Sequence, residues 1–280
     1  MTKSPKANII LKVSKTQGYR QVGKARVSES RMRWFESSYP CHLKLHVAFT
    51  AAFFYTQKRK ERVIVSNFKY ILFDLDGTLI DSGAGIIKGV KYALRKYGIE
   101  EENEAQLRTF VGPPLNQQFA KCYGFSAEKS MEAVKFFREY YETKGILENE
   151  MYAGIDSVLQ KLKAQGKFLM VATSKPEKFA HNILAQHDLE KYFDFIGGSL
   201  TDGSRITKIQ VLDYVLKTNK IENTDEVLMI GDTKFDILGA KNFDLKSMAV
   251  TYGYGTEKEL METKPDFTAG SPQEILLVIK

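Results

Sequence analysis

The sequence predicts an α/β protein: a doubly wound parallel sheet with an inserted all-helical cap domain. Three observations predict it. Short apolar runs ending in polar residues alternate with amphipathic helical stretches across 68–280. One block, from about 83 to 150, has helical patterning and no good strand. Charge divides the chain near residue 67, which marks a boundary.

Taken in order, Tyr70-Ile71-Leu72-Phe73 is a short apolar run ending in Asp74, suited to a strand buried on both faces. Helical faces follow: Ile86, Ile87, Val90, Ala93 and Leu94, then Ala133, Val134, Phe137 and Tyr141. Ile155, Val158, Leu159 and Leu162 repeat at helical spacing, with Gly166 placed to end the helix. Phe168 to Ala172 reads as a strand ending in Thr173-Ser174. Pro176 suits the first turn of a helix carrying Phe179, Ile183 and Leu184. Phe193 to Ile196 is a weaker strand. Thr207-Lys208-Ile209-Gln210 fits a capping box ahead of Val211, Leu212, Val215 and Leu216. Val227 to Ile230 ends in Gly231-Asp232, and Ser247 to Val250 precedes Thr251. The expected organisation is a leader over 1–67, a core from 68–82 and 151–280, and a helical cap over 83–150.

The chain has 280 residues, with 41 Lys and Arg against 34 Asp and Glu, a formal charge of +7. Fourteen of the bases and three of the acids fall in 1–67, a net of +11; the remaining 27 bases and 31 acids give the rest −4. The basicity belongs to the leader. Four readings of that segment stand open: a basic arm for nucleic acid or anionic lipid, a transit peptide, a partner-binding extension, or a start placed too far upstream. A start at Val65 would leave Val65 to Tyr70 as a short lead into the first strand. No nucleic acid is expected on the core.

At 43% hydrophobic and 27% charged, the composition excludes a disordered or collagenous chain. Two cysteines, Cys41 and Cys122, cannot form a disulfide framework, so a reducing, cytoplasmic location is expected. The longest clean apolar runs, such as Val47 to Tyr55, are too short to cross a bilayer.

In open parallel sheets, ligands bind beyond the carboxyl ends of the strands. The polar residues there are Asp74 and Asp76, Thr173 and Ser174, Lys208, then Asp232 and Asp236. Phosphoryl transfer asks for this inventory. Asp74 can attack phosphorus and hold it as an aspartyl phosphate. Bringing anions together calls for a hard cation, and Mg²⁺ prefers carboxylate and phosphate oxygens; Asp232 can complete that site. Lys208 supplies positive charge for the phosphoryl oxygens. Thr173 can donate its hydroxyl and N–H to phosphate at a helix N-terminus. Asp76 can protonate the leaving group and later deprotonate water, worth on the order of 10² to 10⁴ in rate.

Phe73-Asp74-Leu75-Asp76-Gly77-Thr78-Leu79 resembles the first signature of the haloacid dehalogenase superfamily. Val171-Ala172-Thr173-Ser174, Lys208 and Ile230-Gly231-Asp232-Thr233-Lys234-Phe235-Asp236 match the others in order. The resemblance implies Asp74 as nucleophile and Asp76 as acid/base. It also implies Mg²⁺ held by the Asp74 carboxylate, the Asp76 backbone carbonyl and Asp232, with Asp236 as acidic support. Because the dehalogenases of that superfamily lack an acid at this position, the resemblance with Asp76 present implies phosphate rather than halide substrates. The insertion after the first signature is similar to that of the phosphoglycolate phosphatase and β-phosphoglucomutase group. Phe110-Val111-Gly112-Pro113-Pro114-Leu115, Ala172-Thr173-Ser174-Lys175-Pro176 and Gly198 to Arg205 look closest to its 5′-nucleotidase-like branch. In relatives the Gly-Pro-Pro loop closes over the site, making Gly112, Pro113 and Pro114 a candidate substrate loop.

Blander roles stand beside these. Asp74 and Asp76 can cap a helix, Asp232 and Asp236 can be turn and helix-start residues, and Lys208 can be a solvated lysine, though in a first helical turn it opposes the helix dipole. Ser174 is a possible phosphate contact; it and Lys175 can instead only shape the loop. His181 and His187 read as helix-surface residues, and His42 and His46 lack metal-like company. Phe136-Phe137 and Tyr140-Tyr141 belong to cap packing. The expected function is a Mg²⁺-dependent phosphatase, monomeric or dimeric, acting on a small phosphorylated metabolite such as a nucleoside 5′-monophosphate or a phosphoglycolate-like ester. A sugar-phosphate mutase is the nearest rival, and a basic-leader binder of nucleic acid or membrane the alternative of another class.

Overall fold

The computed structural model describes residues 68–279. The leader, with Cys41, His42, His46 and the run Val47 to Tyr55, lies outside the described residues. Among those described, no helix is long and apolar enough to cross a membrane.

Six parallel strands form the sheet: β1 (Tyr70–Phe73), β4 (Phe168–Pro176), β5 (Phe195–Ser199), β6 (Val227–Gly231), β7 (Lys246–Val250) and β8 (Phe267–Ala269). Their spatial order is β5-β4-β1-β6-β7-β8. A separate antiparallel pair joins β2 (Ile80–Asp81) to β3 (Glu150–Met151). β1 is central, and its register levels the strand ends: Phe73 pairs with Val171 of β4 and with Ile230 of β6. The residues that follow therefore emerge at one edge.

Side chains alternate across a strand, so β1 feeds both faces. Ile71 and Phe73 pack with α5 (Ile155–Ala164) and α6 (Glu177–Gln186) in one apolar cluster. Leu72, Met170 and Met229 pack on the other face against α7 (Lys208–Thr218) and α8 (Lys234–Asn242). This is the doubly wound arrangement expected from the sequence.

Between β2 and β3 the chain is helical: α1 (Gly83–Arg95), α2 (Glu104–Arg108), α3 (Leu115–Tyr123) and α4 (Ala127–Tyr141). Ile86, Val90, Ala93 and Leu94 of α1 and Ala133, Phe137 and Tyr141 of α4 are buried in the shared cluster. A Cβ at Gly89 would meet the Phe137 ring, so α1 and α4 approach closely there. The carboxyl-terminal part adds α9 (Glu257–Glu262) and α10 (Pro272–Ile275).

Three boundaries differ from the sequence expectation. β4 does not end at Ala172 but runs to Pro176, with a register irregularity after Ala172, so Thr173 and Ser174 lie within it. Pro176 is the N-cap of α6, with extended ψ of 130°, and the helix starts at Glu177. β5 is Phe195–Ser199 rather than Phe193 to Ile196. The Thr207–Gln210 capping box is present, and Gly166 sits past the end of α5 at φ +74°.

Candidate active site

Asp74 follows β1 directly, and its N–H donates to the Ile230 carbonyl at 2.8 Å, fixing it between β1 and β6. The chain then turns at Gly77, whose φ of +80° favours glycine; a Cβ there would also overlap the Asp232 carboxylate. Lys208 opens α7 and reaches back to this edge. Its Nζ donates to Asp74 Oδ1 and to the Ala172 carbonyl, each at 2.7 Å. The same Nζ lies 2.7 Å from Asp236 Oδ1, an ion-pair contact without hydrogen-bond geometry. Burial opposes the charge on Lys208, but Asp236 and Asp74 more than offset this and raise it above the ordinary lysine value. The dipole objection to a cation at a helix start is thus met by two buried carboxylates.

Asp236 fills a capping role as well. Its Oδ2 accepts from the Thr233 N–H at 2.9 Å and from Thr233 Oγ1 at 2.7 Å, closing the first turn of α8. Its other oxygen faces Lys208, so one side chain both caps α8 and contacts the buried lysine.

Asp232, at the end of β6, is fully buried. Thr78 Oγ1 donates to its Oδ1 at 3.3 Å, and the Tyr254 N–H donates to its Oδ2 at 2.8 Å. Burial first, then Asp236 and Asp74, push its carboxyl well above the usual range. Burial likewise pushes Asp74 up to about 6, against the pull of Lys208 and with help from Asp236 and Asp76. Oxygens of Asp74, Asp232 and Asp236 lie within 4.8 Å of one another. Counting Asp76, four buried carboxylates face two buried ammonium groups, Lys208 and Lys175. With all four ionised, the state a bound cation favours, the surplus is two negative charges. Hard oxygen donors, crowded and two charges in excess, fit a divalent cation such as Mg²⁺.

Thr173 and Ser174 line the cavity above this edge, but from inside β4 rather than from a helix N-terminus. Thr173 Oγ1 accepts from the Lys175 N–H at 3.2 Å. Lys175 is the principal residue the sequence reading underrates. It is buried, and its Nζ donates to both Asp76 carboxylate oxygens at 2.9 and 2.8 Å. Burial opposes its charge, yet Asp76 and Tyr141 raise it above the ordinary lysine value. Its place beside a strand end was the signal available. Tyr254 is the second omission, in a Gly-Tyr-Gly stretch after β7 whose strand end the sequence reading left unexamined.

The cavity holds about 340 Å³. Asp74, Asp76 and Lys208 lie on it, as do Gly112, Pro113 and Pro114. Gly112 has φ +98°, and a Cβ there would stand 3.1 Å from Thr233 Cγ2, so this loop reaches the acid cluster's own segment. Tyr141, assigned to cap packing, stacks on Phe137 at 5.1 Å and also lines the cavity. His187 is only half exposed, because its Nε2 contacts Asn149 Oδ1 at 2.5 Å. A second hollow of about 240 Å³, lined by Lys69, Lys167 and Glu226, sits at the opposite strand ends and holds no such cluster.

A parallel α/β core with an aspartate cluster and a lysine at its strand ends defines a hydrolase of the phosphatase type. A model of the haloacid dehalogenase-like hydrolase family matches residues 71–250, and the chain belongs to that family. A 5′-nucleotidase of Pseudomonas aeruginosa is 40% identical over 195 residues, covering 70% of this chain and 88% of its own. A phosphoglycolate phosphatase of Vibrio cholerae is 31% identical over 225 residues, covering 76% of this chain and 99% of its own. Among solved structures, a predicted phosphatase from Clostridium acetobutylicum aligns with a TM-score of 0.72 at 43% identity, covering 75% of this chain and 97% of that one.

Proposed function

We propose that the protein is a Mg²⁺-dependent phosphomonoesterase working through an aspartyl phosphate on Asp74, in the cytoplasm. One observation carries this: Lys208 grips Asp74 at 2.7 Å, and Asp74, Asp232 and Asp236 converge within 4.8 Å. The Asp74 and Asp232 carboxylates and the Asp76 carbonyl would hold the metal, with Asp236 in support. When bound, Mg²⁺ supplies positive charge against the carboxylates and phosphate.

Asp74 then attacks phosphorus from the floor of the cavity, while Lys208, Thr173 and Ser174 hold phosphoryl oxygens. Asp76 gives a proton to the departing alcohol and takes one from the water that hydrolyses the intermediate. Residues 83–150 act as a cap that excludes bulk water, with Gly112, Pro113 and Pro114 selecting the substrate. The relatives' names support a nucleoside 5′-monophosphate or a phosphoglycolate-like ester as substrate. Release of inorganic phosphate from nucleotide, phosphoglycolate and sugar-phosphate panels with Mg²⁺ tests this. Turnover of at least one ester, lost in Asp74→Asn, is expected; full turnover by that variant, or sugar-phosphate isomerisation without free phosphate, would overturn it.

A further inference from the structure

Lys175 sits against Asp76, and none of the steps above uses it. Its Nζ bonds both carboxylate oxygens, at 2.9 and 2.8 Å, with the side chains only 5% and 11% exposed. On its other side the ammonium lies 5.0 Å from the ring centroid of Tyr141, at the end of α4. The contact exists because β1 and β4 are adjacent, parallel and level. An Asp carboxyl rotates broadly about its last torsion unless something holds it. Two charge-assisted hydrogen bonds from one buried ammonium remove that freedom. A buried ion pair adds little stability over an apolar pair of the same shape, so stability alone does not account for one lining this cavity.

We propose that Lys175 is a positioning residue for Asp76, orienting its carboxyl group toward the leaving oxygen and stabilising the anion left after proton transfer. This rests on the assignment of Asp76 as the acid–base group. As the bond from Asp74 to phosphorus forms and the bond from phosphorus to the leaving oxygen breaks, the Asp76 proton passes to that oxygen. The alcohol departs neutral, and Asp76 remains as the carboxylate paired with Lys175. Asp76 next takes a proton from the water that attacks phosphorus, which frees phosphate and the Asp74 carboxylate. In the structure both Asp76 oxygens accept from Lys175, and Tyr141 brings the helical segment 83–150 into contact with the pair.

The test compares kcat/KM for 4-nitrophenyl phosphate, whose leaving group departs unaided, with benzyl phosphate, whose alkoxide needs a proton. Lys175→Met is expected to lower the benzyl value on the order of 10²-fold more than the nitrophenyl value, and Asp76→Asn to shift the ratio in the same direction. Both esters are read on one preparation, so the ratio is independent of the folded fraction. Lys175→Gln, which keeps a donor without the charge, gives the same direction where the methionine variant does not fold. Equal losses for both esters in the Lys175 variants, with a shifted ratio in Asp76→Asn, overturn the proposal and leave the acid–base assignment standing. An unshifted ratio in Asp76→Asn overturns that assignment and the proposal together.

Discussion

The Tyr254 N–H donates to Asp232 Oδ2 at 2.8 Å, while the Tyr254 hydroxyl bonds Asp81 and accepts from the Gly83 N–H at 2.7 Å. One residue thus spans from the acid cluster to β2 and the first residue of α1. Tyr252 adds to the clasp, donating to the Thr78 carbonyl at 2.9 Å with its ring 5.0 Å from that of Tyr152.

Tyr254→Phe keeps the backbone contact and removes the hydroxyl. Losing a hydrogen bond to a charged partner is expected to cost about 1.5–3 kcal/mol, discounted because Asp81 is partly solvated. The Asp232 segment is also held less firmly, and the Mg²⁺ concentration for half-maximal activity should rise on the order of 10-fold. Thermal unfolding and a Mg²⁺ titration check the two effects separately.

Surplus negative charge at the site makes the metal a source of stability. Mg²⁺ at 100 times its dissociation constant is expected to add about 2.7 kcal/mol, read as a rise in Tm. In Asp232→Asn that response should vanish, while the metal-free Tm matches or exceeds that of the parent, since a buried carboxyl crowded by Asp236 and Asp74 has been neutralised. A metal-free Tm that falls sharply would show Asp232 to be structural.

The pH dependence has a definite sign. Asp74 is raised by burial from 3.8 to about 6 in the folded protein. Between those values the folded state binds more protons than the unfolded chain, so metal-free stability falls as pH rises through that window. Asp232, also raised, adds in the same direction. Mg²⁺ competes with these protons, so its stabilisation should be larger at pH 8 than at pH 5. Tm with and without Mg²⁺ at the two values checks this.

The fold was legible where apolar runs were long enough to bury and ended in punctuating polar residues, as in β1 and β6. Sequence and structure differ where local chemistry is ambiguous. Thr173 to Pro176 looked like a loop, yet β4 extends through it because β5 pairs again at Pro176. β5 lies later than its apolar run predicts because it pairs with β4 through Gly197 and Ser199, despite the low strand propensity of Gly197 and Gly198; glycine stands at those positions because a Cβ would collide with Val215 or the Glu177 backbone. Asp74 and Asp232 follow strands, Lys208 opens α7 and Asp236 lies in the first turn of α8, so their positions at one sheet edge are readable from the sequence. Lys175 could not be weighted, since its partner is 99 residues away and depends on register.

The nucleophile assignment is tested most directly by trapping the phosphoenzyme. The protein is mixed with a turned-over phosphomonoester and Mg²⁺, quenched in acid, and its peptides mapped by mass spectrometry. An acid-stable, base-labile phosphoryl group on Asp74, absent from Asp74→Asn, is the predicted result. Phosphate on Asp232 or Asp236 instead, or undiminished turnover by Asp74→Asn, would contradict it.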